Sequence, residues 1–165
     1  MNLLPRILLL LPLAGIPFVP ADTVTTENVK AALAKAGVVY QASQDASGDP
    51  MFDLKYDGYN ARVVTYMVGE SKSDIARLAW TAAIDMKEGM TPEDVNDWNS
   101  GSFDIKVYLD GERDPILEAN HMVEGGVTEA NIATWLTNVK KEADDFFASQ
   151  GPGIGTKPLA EPRPR

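Results

Sequence analysis

The chain has no cysteine and a single histidine, His121, in 165 residues. Disulfides, thiolate nucleophiles and Cys/His zinc sets are therefore excluded. His121 could serve as a base only beside a nucleophile, and the sequence lacks a Gly-x-Ser-x-Gly elbow. Positive charge is scarce: 15 Lys and Arg face 24 Asp and Glu, a net charge of −9. Such a surface repels phosphate, which makes nucleic acid a poor partner and disfavours anionic membrane surfaces. Long apolar runs are missing too. The greasiest stretch, Ile7 to Leu13, is far short of the roughly 20 residues that span a bilayer.

That stretch has another use. Arg6 precedes it and "AGIPFVPA" follows it, with Pro12, Pro17 and Pro20 breaking any helix. This is the pattern of a secretory leader cleaved after Ala21, so residues 1–21 read as a signal peptide. The expected location is periplasmic or secreted, with no membrane contact after cleavage. The leader carries one charge, Arg6, so the mature chain is one unit more acidic. An exported protein without disulfides must be stable through its core alone. Length suggests one domain, residues 22–150. Residues 151–165, "GPGIGTKPLAEPRPR", hold four Pro and three Gly and are expected to be disordered.

Within the domain the pattern alternates between two periods. "TENVKAALAKAG" predicts a helix over 26–36, with Thr25 or Thr26 as cap and Gly37 as stop. Strands follow at 38–43, 51–56 and 59–68, joined by "QDASGDP" and by the Asp57-Gly58 hairpin signal. Residues 59–68 are apolar on both faces, as in a central strand. "ESKSD" (70–74) reads as a loop. In "ARLAWTAAIDM" the large apolar residues Leu78, Trp80, Ile84 and Met86 fall at even positions, which favours a strand although the alanines pull towards helix. "MTPEDVNDWN" predicts a short helix capped by Thr91 with Pro92 first. "SFDIKVYLD" alternates, placing Phe103, Ile105, Val107 and Leu109 inward. Asp110-Gly111 is a turn signal, and "PILEANHMV" returns as a strand. The last helix runs from about Glu129 to Ser149, with Ile132, Trp135, Leu136, Val139, Ala143, Phe146 and Phe147 on one stripe and with Lys140, Lys141, Asp144 and Asp145 mostly off it as solvated charges.

The stretch "VNDWN" then "FDIKVYLDGE", and "GGVTEANIATWLTNVKKEADDFF" at the end, resemble the YbjN-domain family over about residues 24–149. The family's Asn-x-Trp-Asn stands here as Asn96, Trp98 and Asn99, and its Gly-Gly as Gly125 and Gly126. The resemblance implies an α+β fold similar to type III secretion chaperones. Its expected form is an antiparallel sheet with helices packed on it, in the order α-β-β-β-β-α-β-β-α. The family is labelled a bacterial sensory transduction regulator and has no established reaction. The resemblance therefore implies a non-enzymatic module that binds a protein or peptide partner.

The motif residues also have local reasons to be where they are. Asn99 before Ser100-Gly101 suits a helix stop, and Trp98 packs while its N–H seeks a partner. Gly125-Gly126 suits a sharp loop with positive φ, and Glu124 and Glu129 disfavour an anion there. If helices cover one face of the sheet, strand parity puts Arg62, Tyr66, Lys106, Tyr108 and Asn120 on the other. That face is the candidate surface for a partner or for a second copy in a homodimer. Asp45, Asp49 and Asp53 lack the spacing of an EF-hand. "GPGIGTK" misses the spacing of a phosphate loop, and Asp144-Asp145 are adjacent rather than set across a cleft. No catalytic residue, metal ligand or cofactor is assigned. A carboxylate-based hydrolase, or an envelope or stress protein without ligand, are the alternatives.

Overall fold

The computed structural model describes residues 23–68, 73–151 and 154–159. The expected signal peptide lies outside the described residues, as does most of the 70–74 loop. Helix α1 spans Thr26–Lys35, and Thr25 and Asn28 cap each other's backbone N–H groups. Strands β1 (Val39–Gln44), β2 (Pro50–Lys55), β3 (Asn60–Val68) and β4 (Asp74–Asp85) follow. Helix α2 (Pro92–Gly101), β5 (Lys106–Leu109), β6 (Pro115–Met122) and α3 (Glu129–Ser149) complete the expected series. A further strand, β7 (Gly155–Thr156), comes from the tail. The strands form one antiparallel path in the order β1-β2-β3-β4-β6-β5, with β7 on the end of β4.

The ambiguous alanine-rich segment is the strand β4. Helix propensity favours Ala by tenths of a kcal/mol per residue. Burying Leu78, Trp80 and Ile84 side by side is worth about 1.5–3 kcal/mol each, so burial decides. All three have no exposed surface, and β4 pairs with β3 and β6. These residues share one core cluster with Phe52, Leu54 and Val63 and with the stripes of the helices: Val29 and Leu33 of α1, Val95 of α2, and Ile132, Leu136, Val139 and Phe146 of α3. Met51, Val64, Ala79 and Ala83 alternate with them, are buried too, and lie outside that cluster. They floor the opposite face.

The structure corrects four expectations. Phe103 does not point inward; it is 93% exposed and precedes the strand, which begins at Lys106. The cause is Glu142 on α3. Its carboxylate accepts the consecutive amides of Phe103 (2.8 Å), Asp104 (3.0 Å) and Ile105 (2.7 Å) and the Ser102 hydroxyl (3.1 Å). A strand sends successive N–H groups to opposite sides, so converging amides rule one out. Burying Phe103 would contribute about 1.5–3 kcal/mol, whereas each hydrogen bond to a charged acceptor contributes about as much. Three such bonds outweigh one ring. Helix α2 does not stop at Asn99 but runs to Gly101, and its cap is Ser102. The α3 charges are not all solvated, because Asp144 accepts the Tyr59 hydroxyl at 3.0 Å. Burial, reinforced by that carboxylate, pushes the Tyr59 hydroxyl above its ordinary pKa.

The fourth correction concerns the tail. Described residues 154–159 are placed on the domain rather than left as free coil: Gly155 and Thr156 pair with Asp85 and Ile84, and the Lys157 amide donates to Ala83 O at 3.3 Å. β3 and β6 pair with β4 only as far as Ala82 and Ala83, so the tail takes the protruding end.

Candidate functional site

Three helices on one face leave the other face of the sheet as a cleft of about 660 Å³. Arg62, Tyr66, Tyr108 and Asn120 all line it, together with Arg77 and Glu118, over a floor of Val64, Ala79 and Ala83. Register explains the grouping. Arg62 stands opposite Thr81, Thr81 opposite Glu118, and Tyr66 opposite Arg77. Lys106, in register with Glu118, is not among the lining residues. Its Nζ donates to the carbonyls of Asn99 (3.3 Å) and Ser102 (3.2 Å) at the end of α2, where the helix dipole favours a cation.

The side chains on this face hold one another in place. The Arg62 Nε donates to Asp53 at 2.7 Å, and the Arg77 guanidinium lies 3.9 Å from the centre of the Tyr66 ring. Asn120 donates to Glu118 at 2.7 Å. Arg77 and Glu118 escaped the sequence reading, although the even–odd parity that selected Tyr66 and Asn120 would have found them.

The far end of the cleft is acidic. Asp110 to Asp114 form the β5–β6 loop, and oxygens of Asp110, Glu112 and Asp114 lie within 4.8 Å of one another. The Lys157 Nζ sits among them, at 2.6, 2.5 and 2.7 Å respectively. That ammonium holds the Asp110 carboxyl below its ordinary 3.8. Nothing in the sequence marked this cluster, because its lysine arrives from 43 residues downstream. The acids noted for calcium do not converge in the same way. Asp45 turns to the amides of Ser47 and Asp49 in its own loop, and Asp53 pairs with Arg62.

The motif residues take structural places. Asn99 Nδ2 donates to Val107 O, and its Oδ1 accepts from Val107 N, both at 2.9 Å. It thereby imitates a neighbouring strand for the edge strand β5. Asn96 lies on an exposed side of α2. Trp98 packs edge-on against Phe146 at 4.8 Å, yet its indole N–H, expected to find a partner, is buried without one among the described residues. Gly125 and Gly126 have φ of 84° and 90°, as a sharp turn before α3 requires. His121 stacks on Trp135 and its Nε2 lies 2.8 Å from Asn131 Oδ1. Asp94, Asp110 and Glu142 are all held below their ordinary pKa values by hydrogen bonds. A general acid needs the opposite shift.

Fold and site together define an α+β protein with one sheet face under helices and the other shaped as a surface cleft. The chain belongs to the YbjN family: residues 25–149 match its profile, described as "YbjN: Putative bacterial sensory transduction regulator". No curated protein matches the chain. Among solved structures it is similar to the Yersinia pestis type III secretion chaperone SycH, crystallised in complex with a stable fragment of YscM2. That match has 12% identity and a TM-score of 0.47, and covers 72% of this chain and 97% of the other.

Proposed function

We propose that this chain is an exported, non-enzymatic binding module that holds an extended protein or peptide segment on the open face of its sheet. One observation carries the reading: Arg62, Tyr66, Arg77, Tyr108 and Asn120 converge from four strands on one cleft of about 660 Å³. Tyr and Arg are side chains that interfaces favour: Tyr combines wide contact area with few lost rotamers, and Arg supplies a fork of directional donors. The cleft lining also carries charge of both signs: Arg62 and Arg77, with Glu118 and with Asp110 of the acidic β5–β6 loop. Export rests on the leader over residues 1–21, and is supported by packing that begins close behind it. Val24 is 1% exposed and its carbonyl accepts from Ile75 N at 2.8 Å. The test is a peptide-display selection against the mature protein and against Tyr66→Ala/Tyr108→Ala. The double variant is expected to keep its circular dichroism and lose selected peptides at least tenfold, about 1.4 kcal/mol. Equal retention of peptides by both proteins would overturn the reading. A change in sedimentation mass with no effect on peptides would make the face a homodimer contact instead.

A further inference from the structure

The acidic end of the cleft has hydrogen bonds of its own besides those to Lys157. Asp110 Oδ1 accepts the amides of Glu112 (2.8 Å) and Asp114 (3.0 Å), and the loop closes by Asp110 N to Asp114 O and Arg113 N to Asp110 O. The loop Asp45–Asp49 closes by the same four bonds: its first aspartate accepts from Ser47 and Asp49, and its backbone bonds match. The first Asp therefore sets this loop, and the tail is not needed to shape it. Asp114 is 3% exposed, and its Oδ1 accepts Met86 N at 2.9 Å. This leaves Asp110 Oδ2 and Asp114 Oδ2, fixed by their own partners, aimed at one point. The Met86 amide and the Lys157 ammonium together offset the cost of burying the Asp114 carboxylate.

We infer that Asp110, Glu112 and Asp114 form a lysine-binding subsite of the open-face cleft, filled in cis by Lys157 and available in trans to a basic residue of an extended partner segment. The inference rests on the open face being the binding surface. The tail shows what fits. Its Gly155-Thr156 pairs with the protruding end of β4, Lys157 enters the carboxylates, and Pro158 and Leu159 lie along the cleft wall. An extended chain with a small residue before a lysine and an apolar residue after it repeats each contact. Lys157 is tethered, so its effective concentration is about millimolar, and a free peptide must outcompete it.

The test uses the full mature chain and a fluorescent peptide of the sequence IGTKPLAEPRPR, residues 154–165. Lys157→Ala is expected to bind this peptide about tenfold more tightly than wild type, because its own tail no longer competes. Adding Asp110→Asn to Lys157→Ala is expected to abolish that gain. Glu112 is exposed and its loss cannot unfold the domain, so Glu112→Gln on the same background is a second check and is expected to weaken binding. A peptide with alanine in place of its lysine is expected not to bind. Equal affinity of wild type and Lys157→Ala, or undiminished binding of the alanine peptide, would overturn the subsite. If display-selected peptides still depend on Tyr66 and Tyr108 while the tail peptide fails to bind, the subsite alone is wrong. If the tail peptide binds through its lysine but no peptide depends on the tyrosines, the wider reading of the face is wrong.

Discussion

Glu142 shows how one side chain overrides a local pattern. It lies among Lys140, Lys141, Asp144 and Asp145, and helical spacing assigns that whole set to solvent. Its partners, residues 102–105, are 37–40 positions away, so no window of sequence reveals them. Phe103 was misplaced for the same reason: alternation describes the chain, and the carboxylate that breaks it comes from elsewhere. Burial alone would raise the Glu142 carboxyl, but the four donors outweigh it and hold it below its ordinary 4.5. A carboxyl with a depressed folded-state pKa stabilises the fold fully above its unfolded value and loses that contribution as pH falls through the folded one. Glu142→Gln is expected to cost about 1–3 kcal/mol at neutral pH, as for a lost charged acceptor. Denaturant titrations should show the gap from wild type complete above pH 4.5 and closing as pH falls below it. A gap that persists unchanged in acid would mean the charge contributes nothing.

At the scale of elements, the turns carry the lesson. The β1–β2 and β5–β6 loops share one hydrogen-bonding scheme, in which the fourth residue is left-handed: Gly48 in one, with φ of 80°, and Arg113 in the other, with φ of 67°. The signal at Asp110-Gly111 located the hairpin, and the left-handed residue within it is Arg113. Arg113 tolerates the strain because Met90 is tied to it three ways. Its Nε and Nη2 donate to Met90 O at 3.1 and 2.8 Å, and Met90 N donates to its carbonyl at 2.9 Å. This close approach fixes the neighbour as well. Gly89 has φ of 65°, and a Cβ there would lie 2.7 Å from Arg113 Cβ and 2.9 Å from its carbonyl oxygen. Gly89→Ala is expected to destabilise by about 2 kcal/mol or more, since both φ and space forbid the methyl. A melting temperature within a degree of wild type would contradict the tie. Asn99 belongs to this scale too. Its type was read as a helix stop, but its two bonds to Val107 close one edge of the sheet, a use that depends on strand order rather than on local propensity.

For the whole molecule, the order of elements was legible because alternation marks β4 and the strand around β5, a 3.6 period marks α3, and caps and turn signals mark the rest. The insertion of β6 between β4 and β5 was not, because pairing partners are chosen across the molecule. Composition, which predicted disorder for the tail, is blind to the strand end and the carboxylates that receive residues 155–157. Parity alone gave most of the open face, since one correct register carries every alternate side chain with it. Lys106 left the set because a nearby helix end competes for its charge. At the other terminus, export predicts that protein recovered from the periplasm or medium begins at Asp22. Intact mass spectrometry checks this, and recovery of a full-length chain beginning at Met1 would contradict the leader.

The most direct test is an NMR titration of the mature protein with a display-selected peptide, following side-chain signals. The expected result is a set of shifts confined to Arg62 and Arg77 Nε–H, the Asn120 amide and the rings of Tyr66 and Tyr108, with Trp98 and Trp135 under the helices unmoved. Shifts concentrated on α1, α2 and α3, with those cleft signals unchanged, would contradict the open face as the binding surface.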